Sequence, residues 1–168
     1  MKAVAKFEKV SLKQFKKDME DFGFSDERLN EIYEGIKLPK RATAYSAGYD
    51  IFSTVDFKLS PGETIKIPTG IRCRINEDYA LFIFPRSGLG FKYRLQLNNT
   101  VGVVDSDYYG SDNEGHIFVK ITNDSNEGKS VEIKTGDAFS QGIFLQYGIT
   151  EDDDATGVRN GGFGSTSK

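Results

Sequence analysis

Cysteine, histidine and excess basic charge are all scarce in this chain, and each scarcity closes a route. A single cysteine, Cys73, leaves no intramolecular disulfide framework. It alternates with Ile71 and Ile75, so it reads as a core thiol rather than a nucleophile. A single histidine, His116, lacks the partners of a zinc site, and a Ser-His-Asp triad would have to rest on it alone, so it is taken as structural. The net charge of −3 supplies no basic face to grip a phosphate backbone, and no nucleic-acid partner is expected. No apolar run approaches the ~20 residues that span a bilayer. The first ten residues carry no apolar signal-peptide core, so no membrane association and a cytoplasmic location are expected. There is no internal repeat and no Gly-x4-Gly-Lys-Ser/Thr phosphate loop. The tail glycines are not expected to open a dinucleotide-binding helix, because too little chain follows them.

What is present points to a β-rich globular chain. At 168 residues one domain is the default. Eighteen glycines with thirteen phenylalanines and eight tyrosines favour short strands joined by tight turns. Residues 3–10 form a first candidate strand. Ser11 then reads as an N-cap for a helix in which Leu12, Phe15, Met19 and Phe22 share a face, with Gly23 as its stop. Ser25 opens a second short helix with Asp26 and Glu27 in its first turn, Leu29, Ile32 and Tyr33 on its apolar side, and Gly35 at its end. These helices make a small hairpin, read as a packed insertion over the sheet or as a lid or partner-docking element. From Pro39 onward the pattern is strand and turn. Val55, Phe57 and Leu59 alternate, as do Ile65 with Ile67 and Ile71 with Cys73 and Ile75. Residues 79–85, 116–123, 130–133 and 138–149 follow. Turn signals every ~8 to 12 residues predict a sandwich, barrel or jelly roll. Residues 151–154 are a run of four acids, and a glycine-rich tail follows. The stretch 151–168 is expected to stay mobile until something binds it.

The chain carries chemistry in a few places. Residues 99–110 are a strand-like run of Val101, Val103 and Val104, interrupted by the turn chemistry of Asn98, Asn99 and Gly102. The run delivers the carboxylate of Asp105 and the ring of Tyr108. This outlines a pocket for a flat polar ring and a sugar, or else a solvated turn between two strands. Pro85, Arg86, Ser87, Gly88, Leu89 and Gly90 follow an apolar strand. Arg86 offers a fork of donors, Ser87 a hydroxyl, and the glycines close backbone approach, which suits phosphate or an ordinary exposed turn. Gln141 begins a strand after the Gly136-Asp137 turn and could equally be a satisfied edge amide. In the tail, Arg159, Phe163, Gly164, Ser165 and Thr166 could wrap an anion and stack a ring on a base, or be disordered.

Taken together and in order, five segments resemble the trimeric dUTPase family: Ala47-Gly48-Tyr49-Asp50-Ile51-Phe52-Ser53; Arg86-Ser87-Gly88 with its neighbours; Gly102-Val103-Val104-Asp105 through Gly110; Gly136-Asp137 through Gln141; and Arg159 through Thr166. The resemblance implies a mainly β, jelly-roll-like protomer. It would be a single domain over 1–168, with a helical insertion at 11–35 and a flexible C-terminal arm at 151–168. It implies a homotrimer whose three active sites are shared between subunits. It implies hydrolysis of dUTP to dUMP and pyrophosphate with magnesium on the triphosphate, keeping uracil out of DNA and supplying dUMP for thymidylate synthesis.

On the same footing, Asp105 would be the general base for the attacking water. Tyr108 would lie against the deoxyribose and reject a 2′-hydroxyl. Asn99, Gly102 and Val103 would read the uracil edge. Arg86, Ser87, Gly88 and Gln141 would hold the phosphates. Arg159, Gly164, Ser165 and Thr166 would close on the β- and γ-phosphates, with Phe163 over uracil. Asp50 would orient magnesium's waters. Two stretches depart from the family pattern, the helical insertion at 11–35 and about five extra residues at 111–115, with Ser111 where an acid or amide is usual. The enzyme alternative is a dCTP deaminase of the same fold. The other alternative is a regulatory module that docks a protein partner at the helical insertion.

Overall fold

The computed structural model describes residues 2–159 and 161. Phe163, Gly164, Ser165 and Thr166 lie outside the described residues. The fold is mainly β. The first strand, β1 (Ala5–Lys9), pairs antiparallel with β6 (Ile71–Ile75). A second sheet orders β5 (Thr64–Pro68), β10 (Phe118–Asn123) and β8 (Leu95–Leu97). A short pair joins β4 (Phe57–Leu59) to β11 (Val131–Ile133). The largest sheet runs β2 (Lys40–Arg41), β3 (Tyr49–Phe52), β12 (Ala138–Gln146), β7 (Tyr79–Pro85) and β9 (Gly102–Val104), each pair antiparallel. The inward residues alternate as the period of a pleated strand requires. Ile71, Cys73 and Ile75 are buried from β6, and Leu81 and Ile83 from β7. They join Ile51, Ile67, Val119, Ile121 and Phe139 in one apolar cluster.

The helical hairpin forms where its caps and apolar spacing place it. Helix α1 spans Leu12–Asp18 and α2 spans Asp26–Glu34. The Ser11 hydroxyl accepts from the Gln14 N–H at 3.1 Å, and the Ser25 hydroxyl accepts from the Arg28 N–H at 3.2 Å. Phe15, Met19, Leu29 and Ile32 are buried in the same cluster as the strands, so the hairpin is packed on the β core. The expected helix through Phe22 is corrected in one respect. It stops at Asp18, and Glu20–Phe22 tighten into a 3-10 turn before Gly23 reverses the chain at φ 65°. The second correction is at residues 85–90, which read from the sequence as a phosphate-binding segment or an ordinary exposed turn. Ser87–Tyr93 instead form a short helix, α3, ended by Arg94 in the left-handed region at φ 49°.

Candidate active site

Two clusters of the sequence-selected residues assemble, one at the Pro85 end of β7 and one along β9, which runs beside residues 81–83 of β7 and leads to Asp105. The first gathers at the Pro85 end. Gln141 on β12 is paired with Asp50 on β3 and with Phe84 on β7, so these strands deliver Asp50, Gln141 and Arg86 to one place. They line a cleft of about 500 Å³ together with Gly48, Ser87 and Gly88. Arg86 Nε lies 3.0 Å from Asp50 Oδ1, and its other arm donates to the Ala138 carbonyl at 3.3 Å. Gln141 Nε2 donates to the Pro85 carbonyl at 3.0 Å, which turns the amide oxygen towards Gly48. Ser87 and Gly88 form the first turn of α3, whose N-cap, Arg86, makes no side-chain hydrogen bond to the first-turn amides. The cluster is a half-buried guanidinium, an amide, a hydroxyl and uncapped backbone donors around one carboxylate, which is a donor set for an anion. Asp50 is the one acid of the cleft, and it is held by Arg86.

The second cluster is built on β9 and the turn after it. The connection before β9 is tight, with the Thr100 N–H donating to Leu97 O at 2.9 Å and the Val101 N–H to Asn99 O at 2.7 Å. Thr100 sits at φ 67°, a conformation that a β-branched residue adopts only when its surroundings impose it. Asn98, Asn99 and Gly102 flank a cleft of about 350 Å³ floored by Ile83, Leu97 and Phe118. Gly102 is buried against Ile83, where an added Cβ would come within 3.2 Å, while Val103 faces out and is 54% exposed. Three residues further, ~10 Å along a strand, the chain presents Asp105 as the cap of a 3-10 turn, Ser106–Gly110. Tyr108 in that turn is 8% exposed, and burial raises its phenol above the ordinary range, so it stays neutral.

Arg159 reaches this second cluster from the other end of the chain. Its Nη2 lies 2.5 Å from Asp105 Oδ2, its Nε lies 2.7 Å from Asp107 Oδ1, and its guanidinium carbon sits 6.0 Å from the Tyr108 ring centre. The guanidinium is 17% exposed and clamped between two acids, a charge-assisted fork. Within this protomer Arg159 therefore meets Asp105, not the Arg86 cluster. Asp107 was not among the residues singled out from the sequence. An acid two positions from Asp105 carries no signal until the fold brings a cation to both.

The remaining sequence-selected residues behave as packing. Cys73 is buried, and its thiol is pushed up to about 12 by burial, so it is not a thiolate nucleophile. His116 is fully buried. Its Nε2 accepts from the Gly70 N–H at 2.8 Å, so its proton is on Nδ1, which donates to Asp18 at 2.5 Å. No group of three metal-ligating acids, histidines and cysteines occurs among the described residues, and no helix among them is long and apolar enough to cross a membrane.

Comparison with known proteins gives this architecture its class. The family model for dUTPase matches residues 34–167, a span that includes both clusters, and the chain belongs to the dUTPase family. A deoxyuridine 5′-triphosphate nucleotidohydrolase of Lactococcus lactis is 41% identical over 135 residues, covering 79% of this chain and 89% of that protein. The Haemophilus influenzae protein of the same description is 40% identical over 147 residues, covering 83% of this chain and 93% of that one. The crystal structure of the Streptococcus mutans dUTPase superposes with a TM-score of 0.63 at 32% identity, over 86% of this chain and 98% of that one. A point-mutant dUTPase of phage phi11 of S. aureus, which coordinates a structural Mg(II) ion, shares the fold with a TM-score of 0.64 at 20% identity. It covers 92% of this chain and 98% of that one.

Proposed function

We infer that this protein hydrolyses dUTP to dUMP and pyrophosphate. The observation that carries the reading is the family match over residues 34–167, which spans both the anion-binding cleft and the hairpin that ends in Asp105. Relatives at about 40% identity that are dUTP nucleotidohydrolases support hydrolysis over the deaminase alternative. The 350 Å³ cleft beside Asn99 and Gly102 suits a flat pyrimidine, read by backbone groups of the hairpin. A base presenting the opposite donor pattern would leave buried groups unpaired, at about 1–3 kcal/mol each. Tyr108 walls the sugar, and a ribose hydroxyl would meet the ring without a partner. Asp105 accepts the proton of a water aimed at the α-phosphorus, which requires only a hydrogen bond to that water. Arg86, Ser87, Gly88 and Gln141 hold the phosphates, and the catalytic gain is mostly positioning and charge neutralisation.

The geometry favours a site shared between subunits. Asp105 follows Val104, which pairs with Leu81, and Arg86 lies five residues beyond Leu81 on β7. Asp105 therefore lies level with Ala80, six residues from Arg86, and at ~3.3 Å per residue the two are ~20 Å apart along the strand. A base in contact with the attacking water and a phosphate clamp so distant do not serve one nucleotide, so Asp105 of one subunit works with Arg86 of another in a homotrimer. Arg159 belongs to the arm that closes the site, with Phe163 over the base and Gly164, Ser165 and Thr166 on the outer phosphates. The triphosphate competes with Asp105 and Asp107 for the Arg159 guanidinium and frees the base as the arm engages.

Magnesium fits this donor set as an ion carried by the substrate. The cleft offers one acid, Asp50, which suits an ion that keeps most of its waters and binds mainly to phosphate oxygens. When bound it neutralises triphosphate charge, and Asp50 would orient its waters. The reaction belongs to the cytoplasm, where deoxynucleotides are made. The test is pyrophosphate release from dUTP by wild type and by Asp105→Asn. We expect turnover to fall by several orders of magnitude, on the order of the loss seen when an essential base is removed, with nucleotide binding kept. Near-normal turnover would reject Asp105 as the base.

A further inference from the structure

The two stretches that the sequence sets apart, 11–35 and 111–115, are bonded to each other, and Asn113 of the second is bonded to Tyr108. At one end of α1 the Ser11 N–H and hydroxyl both donate to the Glu114 carboxylate, at 2.7 and 2.5 Å. At the other end Asp18 accepts from His116 Nδ1. His116 in turn presents its backbone carbonyl to the Tyr108 hydroxyl, which donates to it at 2.7 Å. Asn113 Nδ2 donates to that same phenol oxygen at 2.8 Å, while Asn113 Oδ1 accepts from the Gly115 N–H at 3.2 Å. Both the donor and the acceptor capacity of the Tyr108 hydroxyl are therefore used. The loop is also pressed on the backbone beneath the ring. Gly115 sits at φ +70°, and a Cβ there would lie 2.7 Å from the Tyr108 carbonyl oxygen and from Tyr109 Cα.

We propose that these two stretches form one brace that fixes the Tyr108 ring, and that Asn113 and His116 are positioning residues for selection of deoxyribose over ribose. The proposal rests on the reading of Tyr108 as the wall of the sugar pocket. Rejecting one hydroxyl by contact demands a ring that does not yield, because a shift of well under an ångström makes room for an oxygen. A buried phenol anchored at one point can still pivot. Anchored by a donor and an acceptor from different residues, with its own backbone blocked from behind, it cannot. α1 supplies the stiffness through two attachments seven residues apart, Ser11 to Glu114 and Asp18 to His116.

The test compares kcat/KM for dUTP and for UTP in wild type, Asn113→Ala, Tyr108→Phe, the double variant and Tyr108→Ala. Asn113→Ala and Tyr108→Phe should each lower the dUTP-to-UTP ratio about five- to tenfold, chiefly by raising the UTP term, and the double variant should be no worse than Tyr108→Phe, because without the hydroxyl Asn113 has nothing left to anchor. Tyr108→Ala should lower the ratio further. If Tyr108→Ala leaves the ratio unchanged, the sugar-wall reading itself fails. If Tyr108→Ala collapses the ratio while Asn113→Ala lowers only the melting temperature, the wall stands and the brace is overturned. Should Asn113→Ala not fold, an unchanged ratio in folded Tyr108→Phe overturns the brace by itself.

Discussion

The sharpest consequence of the geometry at the Pro85 end of β7 concerns Gly48, a residue with no side chain to offer a ligand. Gly48 lies outside the left-handed region, so alanine fits its backbone. Its space is another matter, because an added Cβ would lie 2.5 Å from Gln141 Oε1 and 3.4 Å from Gln141 Cδ. The Gln141 side chain must swing away, and its 3.0 Å hydrogen bond to the Pro85 carbonyl breaks. The folding cost is that one bond, about 0.5–1.5 kcal/mol, since the clashing atom ends a flexible side chain. The functional cost is larger. A hydrogen bond to a charged group contributes about 1.5–3 kcal/mol, and at ~1.4 kcal/mol per decade its loss should raise KM for dUTP roughly 10- to 100-fold. Turnover should change little, because the contact is made with substrate as well as with the transition state. Steady-state pyrophosphate release measures both constants. The decisive control is the Gln141→Ala background, in which Gly48→Ala should have no further effect. An unchanged KM for Gly48→Ala, or an equal loss in the Gln141→Ala background, would refute the reasoning.

Two other expectations follow from the packing and the charges. Phe15 of α1 is fully buried, with its ring 5.7 Å from that of Tyr33 and 6.4 Å from that of His116. Phe15→Ala should cost about 3–5 kcal/mol, a fall of roughly 10 °C in melting temperature for a chain of this size; a loss under about 1 kcal/mol in chemical denaturation would show that α1 is not part of the core. Acid should unfold the protein by titrating carboxylates whose folded-state pKa values are depressed. The hydrogen bonds from Lys6 and Tyr109 take Glu8 from 4.5 to about 2, and although burial works against it, Asp18 is lowered from 3.8 by hydrogen bonds from His116 and Gln14. A depressed carboxylate stabilises the fold above its unfolded pKa and loses that contribution as pH falls through the folded value. The contribution of these two groups to stability, followed by circular dichroism, should therefore begin to fall about one pH unit above 4.5 and fall steadily towards pH 2, and Asp18→Asn should flatten the fall; an unaltered slope in that variant would remove Asp18 from the account.

Much of the β architecture was legible because its signal is local. Alternation in 64–68, 71–75 and 79–85 predicts strands that the sheet then pairs, and the Ser11 and Ser25 caps mark helix starts to the residue. Helix α3 was not legible. Gly88 and Gly90 each weaken a helix by roughly 1 kcal/mol relative to alanine, so local propensity argued for a turn where the tertiary surroundings enforce a helix. The phosphate cluster was legible residue by residue, yet its Asp50–Arg86 pair and the crowding of Gly48 on Gln141 exist only once β3, β12 and β7 are in register. His116 shows the same limit. As a lone histidine it reads as structural, and it is, but its partner Asp18 lies 98 residues away, and no periodicity links the two.

The two stretches read as departures from the family pattern lie away from the strand register that holds the Arg86 cluster. Of the residues proposed to hold the phosphates, Arg86, Ser87, Gly88 and Gln141 sit at the Pro85 end of β7, where β3 and β7 set the register of Gln141. Insertion there would shift Gln141 against Asp50 and disturb the charge arrangement on which the chemistry rests. The Asp105 end is different, because the chain leaves the sheet into a 3-10 turn and a loop before re-entering at β10. Residues 111–115 belong to that excursion and to no strand, and α1, which lies outside the matched family span, is bonded to it through Glu114 and His116. Asp105, the proposed base, precedes the excursion as the turn's cap, whereas Tyr108 lies inside it and takes its hydroxyl partners from Asn113 and His116. On the proposed roles, the loop that holds Tyr108 can therefore tune sugar selection while Asp105 and the Arg86 cluster stay as the sheet sets them.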